Sequence, residues 1–376
     1  MPDIPLWLYP VAFLAVLGPL VFVHEYGHYI VGRWCGVKAD TFSIGFGRKI
    51  LGWTDKRGTE WKIGWLPLGG YVQFAGDRDA VSQPDADWQQ LPAEQRSHTF
   101  PAQPVWKRAL IVLAGPMTNF LFAIAIFAAL YMTYGIPQTP PVIGGVAAQS
   151  AAQQAGLRVG DRIVAINGRP MKIFDDIPMA VATDLGKPAD LVIDRGGERL
   201  DITLRPRMIS ETDQFGNKVE RAIIGVRSGA PVYDAVGPLT AVQTGAAHTW
   251  GLVRLTGNIM SQFVTGQRSV KEMGGPIRIA KQSGEVATLG VAVLISFIAF
   301  ISINLGFINL LPLPMLDGGH LAFYAYEAIR RRPAPPQAQE WAFRFGFAAI
   351  VTLMLVVTFN DLGSIGVWDR IARLIG

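Results

Sequence analysis

The chain has 376 residues, 50% of them hydrophobic and only 17% charged, with a mean hydropathy of +0.28. That balance excludes an ordinary water-soluble protein and points to a membrane. The formal charge of +5 rests on Lys and Arg residues that are scattered or flank apolar runs, so anionic lipid headgroups suit it and no nucleic acid is expected.

The first apolar run carries no charge from Pro5 to Val23. No basic n-region or small-residue cleavage site accompanies it, so it reads as a retained anchor and first transmembrane helix over about 5–30. Cys35 is the only cysteine; it reads as structural, and it leaves His and carboxylate side chains as the metal ligands on offer. The connection that follows holds TFSIGFG, KILGWTD and TEWKIGWLPLGGYVQFAGD. These β-type runs, punctuated by Gly69 and Gly70, predict a small sheet of hairpins over 40–76 whose apolar tip dips into the bilayer. Non-helical backbone is tolerated there only where protein or water covers it, so this re-entrant element is expected to line a cavity. A second span follows at about 108–134.

From about 140 to 285 the chain is too polar for a membrane. PVIGGV reads as a strand, SAAQQAG as a short helix with Ser150 as its N-cap, and DRIVAING as a strand turned by Asn167 and Gly168. ADLVIDRGGERLDITLRP reads as a hairpin turning at Gly196 and Gly197. This pattern, and AGLRVGDRIVAINGRPM above all, resembles a PDZ domain over 140–208, a module that binds extended peptides by adding a strand to a sheet edge. The alternative is a spacer without a ligand. Residues 209–285 then form a linker in which 237–265 predict an amphipathic helix lying at the outer surface. Spans three and four are predicted at about 286–311 and 342–360, so the membrane domain comes in two parts, 1–136 and 286–376. Basic residues in the first connection, and Arg330, Arg331 and Arg332 between the last two spans, place both connections in the cytoplasm. The PDZ domain and both termini are then extracytoplasmic.

The first span ends in VFVHEYGHYI, residues 21–30. Residues four apart share a helix face, so His24 and His28 can offer imidazole nitrogens to one ion while Glu25 stands beside them as a general base. Catalytic zinc normally takes a third protein ligand and keeps one position for water. Asp317, at the end of an uncharged run from Val286 to Leu316, is that candidate. The predicted topology runs the first and third spans in the same direction, so His24, His28 and Asp317 arrive at matching depth. Pro312 and Pro314 break the helix and let Asp317 turn inward. Asn309 is open to two readings, a hydrogen-bond donor to substrate or to the oxyanion of the reaction, or a helix-packing amide. His320 is not needed as a ligand.

HEYGH at 24–28, GPMTN at 115–119, the PDZ-like insert and NLLPLPMLDGGH at 309–320 together resemble the site-2 protease family, in its bacterial RseP-type branch (regulator of sigma-E protease). The resemblance covers nearly the whole chain. It implies a polytopic α-helical membrane protein with four transmembrane helices, a cytoplasmic-side re-entrant β-element and one extracytoplasmic α+β PDZ domain. It also implies zinc on His24, His28 and Asp317, with Glu25 catalytic. Asn309, Pro312 and Pro314, with Gly69, Gly70 and Tyr71 of the β-element, would handle substrate, and Gly115, Pro116 and Asn119 would pack near the site. The implied activity is cleavage of single-span proteins of the anti-sigma-factor type, or of signal-peptide remnants, within a bacterial inner membrane. The rival from another class is a non-catalytic PDZ-bearing receptor or chaperone.

Overall fold

The computed structural model describes residues 4–77, 88, 90–183, 187–212, 218–266 and 274–364. Parts of the predicted 209–285 linker, at 213–217 and 267–273, lie outside the described residues. The chain forms two compact units, one of Met1–Ala129 with Val242–Gly376, the other Leu130–Ala241.

The first unit opens with helix α1 (Leu8–Trp34), which contains Pro19. Strands β1 (Ala39–Thr54) and β2 (Glu60–Phe74) follow. Each strand bends and pairs twice, so four segments line up in the order 49–54, 60–64, 41–44 and 70–73; the two outer pairings are antiparallel, and 60–63 and 41–44 run side by side in the same direction. Facing residues share a side of a sheet. Trp53–Trp61–Phe42–Val72 and Leu51–Ile63–Ile44–Gly70 therefore make one side apolar, while Thr54–Glu60–Thr41–Gln73 and Gly52–Lys62–Ser43–Tyr71 make the other polar. Tyr29 of α1 covers the near part of the apolar side, edge-on to Phe42 at 5.8 Å and Trp61 at 5.2 Å. Leu51, Trp53 and Ile63 farther out are exposed. After a short helix α2 (Ala93–Ser97) comes the long helix α3 (Val105–Tyr134).

The second unit is α plus β. It holds β3 (Ile136–Gln138), β4 (Ile143–Val146), α4 (Ala151–Gln154), β5 (Arg162–Ile166), β6 (Arg169–Pro170), α5 (Asp176–Thr183), β7 (Ala189–Arg195) and β8 (Glu198–Leu204). β9 (Arg207–Thr212), β10 (Lys218–Ile223), β11 (Val226–Ser228) and β12 (Val232–Asp234) complete it. The central sheet has the order β6-β5-β7-β8, and β11 returns to pair with β4 while β12 pairs with β3. Those two returns extend the unit beyond the predicted 140–208 on both sides. Ser150 caps α4 through its hydroxyl, and the β7–β8 hairpin turns on Gly196 and Gly197 at φ +65° and +95°, angles that suit glycine. Ile143, Ile163, Ile166, Leu191 and Ile193 are fully buried at its centre.

The chain then returns to the first unit. Helix α6 (Pro238–Val264) packs along α3, where His248 stacks on Phe127 at 4.4 Å. α7 (Pro276–Ala287) precedes α8 (Val291–Asn309), and α8 takes up most of the span expected at about 286–311. Thr256 of α6 donates to Asn304 of α8 at 3.2 Å, so α6 contacts α8 as well as α3. α9 (Asp317–Arg330) and α10 (Pro336–Ser364) close the fold. Asp361 of α10 is fully buried and accepts hydrogen bonds from the Gly275 and Arg278 backbone N–H groups at 3.1 and 3.0 Å. A carboxylate there satisfies the orphan donors at the start of α7 and suits its positive dipole end.

α1, α3, α8 and α10 are long and apolar enough to cross a membrane, and at most 39% of any one's apolar window is buried by protein. Their remaining apolar surface needs lipid.

In the second unit Asp161 is buried and takes a two-pronged contact from Arg195, Nε to Oδ1 at 2.8 Å and Nη2 to Oδ2 at 2.7 Å. Arg195, with help from the Arg158 backbone N–H, holds the Asp161 carboxyl below the usual carboxylate range despite its desolvation. A depressed folded-state pKa contributes stability above the unfolded value, about 4, that is lost as pH falls through the folded value. Urea midpoints of the second unit, read by pulsed hydrogen exchange in the full chain, should fall below about pH 4 in the native protein. Asp161→Asn should start lower and fall less.

Candidate metal centre

α1 is turned so that His24 and His28 face inward, with their Nε2 atoms 3.2 Å apart. Asp317 is the first residue of α9 and brings Oδ2 to 3.2 Å from His24 Nε2 and 3.5 Å from His28 Nε2. The turn between α8 and α9 makes this possible. Met315 takes φ +82° and Leu316 is extended, which reverses the chain after the Pro312 and Pro314 stretch. Gly318 then fits because a Cβ there would run into the Leu310 and Leu311 carbonyls.

Both imidazoles are held from behind. The His28 Nδ1–H donates to the Ile111 carbonyl at 2.9 Å, which leaves its Nε2 lone pair facing Asp317 and His24. The imidazole lies flat against Gly115 of α3, where any Cβ would overlap the ring. His24 Nδ1 lies 3.1 Å from the Asn119 amide, and Asn119 is wholly buried. Ser302 of α8 donates to the Asn119 backbone carbonyl at 2.9 Å, tying α8 to α3 at this level.

A zinc ion with ligand bonds of about 2.0–2.2 Å has tetrahedral edges of about 3.3–3.6 Å. The three separations, 3.2, 3.2 and 3.5 Å, match such edges, and two imidazoles with a carboxylate are a donor set zinc accepts. Calcium would require six to eight oxygen ligands, which this cluster lacks. Asp317 Oδ2 is buried and makes no protein hydrogen bond, as expected of an atom facing a cation.

The cluster opens on a cavity of about 590 Å³ that Glu25, Gly69, Gly70, Tyr71, Asn309 and His320 also line. Gly70 lies directly against Glu25, and Asn309 Nδ2 is 3.4 Å from His24 Nε2. Pro312 and Pro314 do not line the cavity; they shape the turn, and Gly346 of α10 packs on Pro314. Met315, Phe347 and Ile350 line it although sequence reasoning did not single them out. Their only signal is apolar character, which half of the chain's residues share.

The model of the family described as Peptidase family M50 matches residues 12–353. A protein of Agrobacterium fabrum, named as a zinc metalloprotease, is 46% identical over 362 residues, covering 95% of this chain and 96% of its own. The metalloprotease MmpA of Caulobacter vibrioides is 36% identical over 389 residues, covering 97% and 98%. Among solved structures, the PDZ domain of an SdrC-like protein from Listeria monocytogenes aligns with 25% of this chain and 90% of its own length. Its identity is 16% and its TM-score 0.19, too low to carry an argument.

Gly115→Ala should push the His28 ring off its Ile111 contact and out of the cluster. Metal analysis of the purified variant should find zinc well below the wild-type ratio; an unchanged ratio would contradict this packing.

Proposed function

The chain belongs to peptidase family M50, and on that premise we propose that it is an intramembrane zinc endopeptidase. It cuts transmembrane segments of single-span membrane proteins, such as an anti-sigma factor or a signal-peptide remnant, in a bacterial inner membrane. The observation that carries this reading is the convergence of His24, His28 and Asp317 within 4.8 Å beside Glu25 in an apolar bundle. A receptor or chaperone with a structural metal has no use for an unligated carboxylate at that place.

His24, His28 and Asp317 hold the metal. Zinc, when bound, supplies the Lewis acidity that makes hydroxide available near neutral pH. Glu25 takes a proton from the attacking water and returns it to the nitrogen of the leaving amine. Glu25 and Val72 line the same cavity. Asn309, on the cavity wall, is placed to donate to a substrate carbonyl.

A peptide bond inside a spanning helix is shielded by its own hydrogen bonds, so the substrate must unwind before attack. Among the described residues segment 70–73 is paired only by 41–44, and Gly70, Tyr71 and Val72 line the cavity. It offers an unwound substrate backbone a strand to pair with, and Gly69, Gly70 and Tyr71 are the residues it presents. The exposed apolar side of the sheet, continuous with α1, supports a re-entrant placement with Leu51, Trp53 and Ile63 in lipid.

The same reading divides the chain into membrane parts 1–136 and 286–376, a PDZ domain at 140–208 and a linker over 209–285. The site lies toward the cytoplasm and the PDZ domain outside, following the basic connections. The PDZ domain screens substrates there or binds a newly exposed C-terminus.

In vesicles with a tagged single-span substrate, wild type should produce cleaved product. Glu25→Gln should retain zinc while cleavage falls by roughly 10²- to 10⁴-fold, the usual contribution of general acid–base catalysis. Equal cleavage by both proteins would remove Glu25 from the chemistry, and zinc-loaded wild type inert on every substrate tried would favour the receptor.

A further inference from the structure

We infer that Asn119 orients His24 for metal binding, its side-chain carbonyl accepting a hydrogen bond from His24 Nδ1–H; the inference rests on the zinc site proposed above. His24 turns Nε2 toward Asp317 and His28. That nitrogen can give its lone pair to a metal only in the tautomer whose proton sits on Nδ1. A buried N–H needs an acceptor. The Asn119 Nδ2 lies 3.1 Å from His24 Nδ1, and the Asn119 Oδ1 is buried with no hydrogen-bond partner. Asn119 can present either end of its amide to the ring by a half-turn about Cβ–Cγ, and Oδ1 is the end that matches an N–H donor.

The position of Asn119 is fixed from two helices. Its own helix, α3, buries it completely, while Ser302 of α8 donates to its backbone carbonyl at 2.9 Å and Gly306 of α8 packs on its Cβ. The two histidines thus differ in how they are steered. His28 uses a backbone carbonyl, Ile111, which no side-chain change removes. His24 depends on a side chain. A merely packing amide would be indifferent to the state of the ring, whereas a carbonyl on Nδ1–H fixes the tautomer and raises the basicity of the ligating nitrogen.

The test uses the full chain in detergent, with zinc affinity measured by competition against a chromophoric chelator. Asn119→Leu keeps the volume and removes the acceptor; it should weaken zinc binding by about 10- to 100-fold, the usual effect of losing such a partner. Asn119→Asp restores an acceptor and should bind zinc within a few-fold of wild type. Asn119→Leu binding as tightly as wild type, or Asn119→Asp binding as weakly as Asn119→Leu, would overturn the inference. Should Asn119→Leu fail to fold, the cobalt(II)-substituted spectrum of Asn119→Asp decides. A shifted d–d band reports altered His24 basicity, and a spectrum identical to wild type counts against the role. Wild type that binds no zinc would instead bring down the proposed site itself, with this inference as its dependent.

Discussion

Two histidine nitrogens and a carboxylate oxygen lie 3.2–3.5 Å apart inside an apolar bundle. Electron pairs crowded at that spacing, away from bulk water, need a cation among them. Meeting that need shapes distant parts of the chain. Helix periodicity supplies two of the three donors from one segment. The third comes from near the other end of the sequence, and it arrives only because α8 stops at Asn309, turns through a strained Met315 and restarts at Asp317. Gly115 gives the His28 ring room, and the Ile111 carbonyl aims it.

The second constraint is set by the substrate class proposed for this site. A spanning helix has no free backbone groups to recognise, and hydrocarbon offers no water to open it. The sheet beside α1 addresses both difficulties. Its rows alternate apolar and polar, so one side can face lipid while segment 70–73 leaves a strand edge on the cavity next to Glu25. In the proposed mechanism, binding an extended backbone and moving a proton fall to adjoining residues, since Gly70 packs against the Glu25 Cγ.

The residues proposed to hold the metal stand out in the sequence because ionisable side chains are rare in uncharged runs, and because four-residue spacing has a fixed meaning in a helix. Asp317 was found by the same logic, as the carboxylate that ends such a run. The glycine turn at 196–197 and the Ser150 cap follow from local chemistry. Other features rest on partners far away in sequence. The division between α7 and α8 falls inside an apolar stretch, and α7 is set by Asp361, 86 residues from the Gly275 it caps. β4 and β3 find their partners in β11 and β12 after the whole insert has been traversed, so local pattern understates the second unit. α6 looks like a surface helix by composition, yet Gly245 and Gly257 let it approach α3 and Phe307 of α8 closely. The prolines at 312 and 314 signal chain geometry truly, but a proline pattern does not say which residues of the turn meet the cavity.

The claim on which all of this depends is that zinc is bound by two imidazoles and one carboxylate. X-ray absorption at the zinc edge of the purified, zinc-loaded full chain addresses it directly. The account expects a first shell of nitrogen and oxygen only, at about 2.0–2.2 Å, with outer-shell scattering from two imidazoles that diminishes in His28→Ala. A sulfur scatterer at about 2.3 Å, which would implicate Cys35, or an outer shell unchanged by His28→Ala, would contradict it.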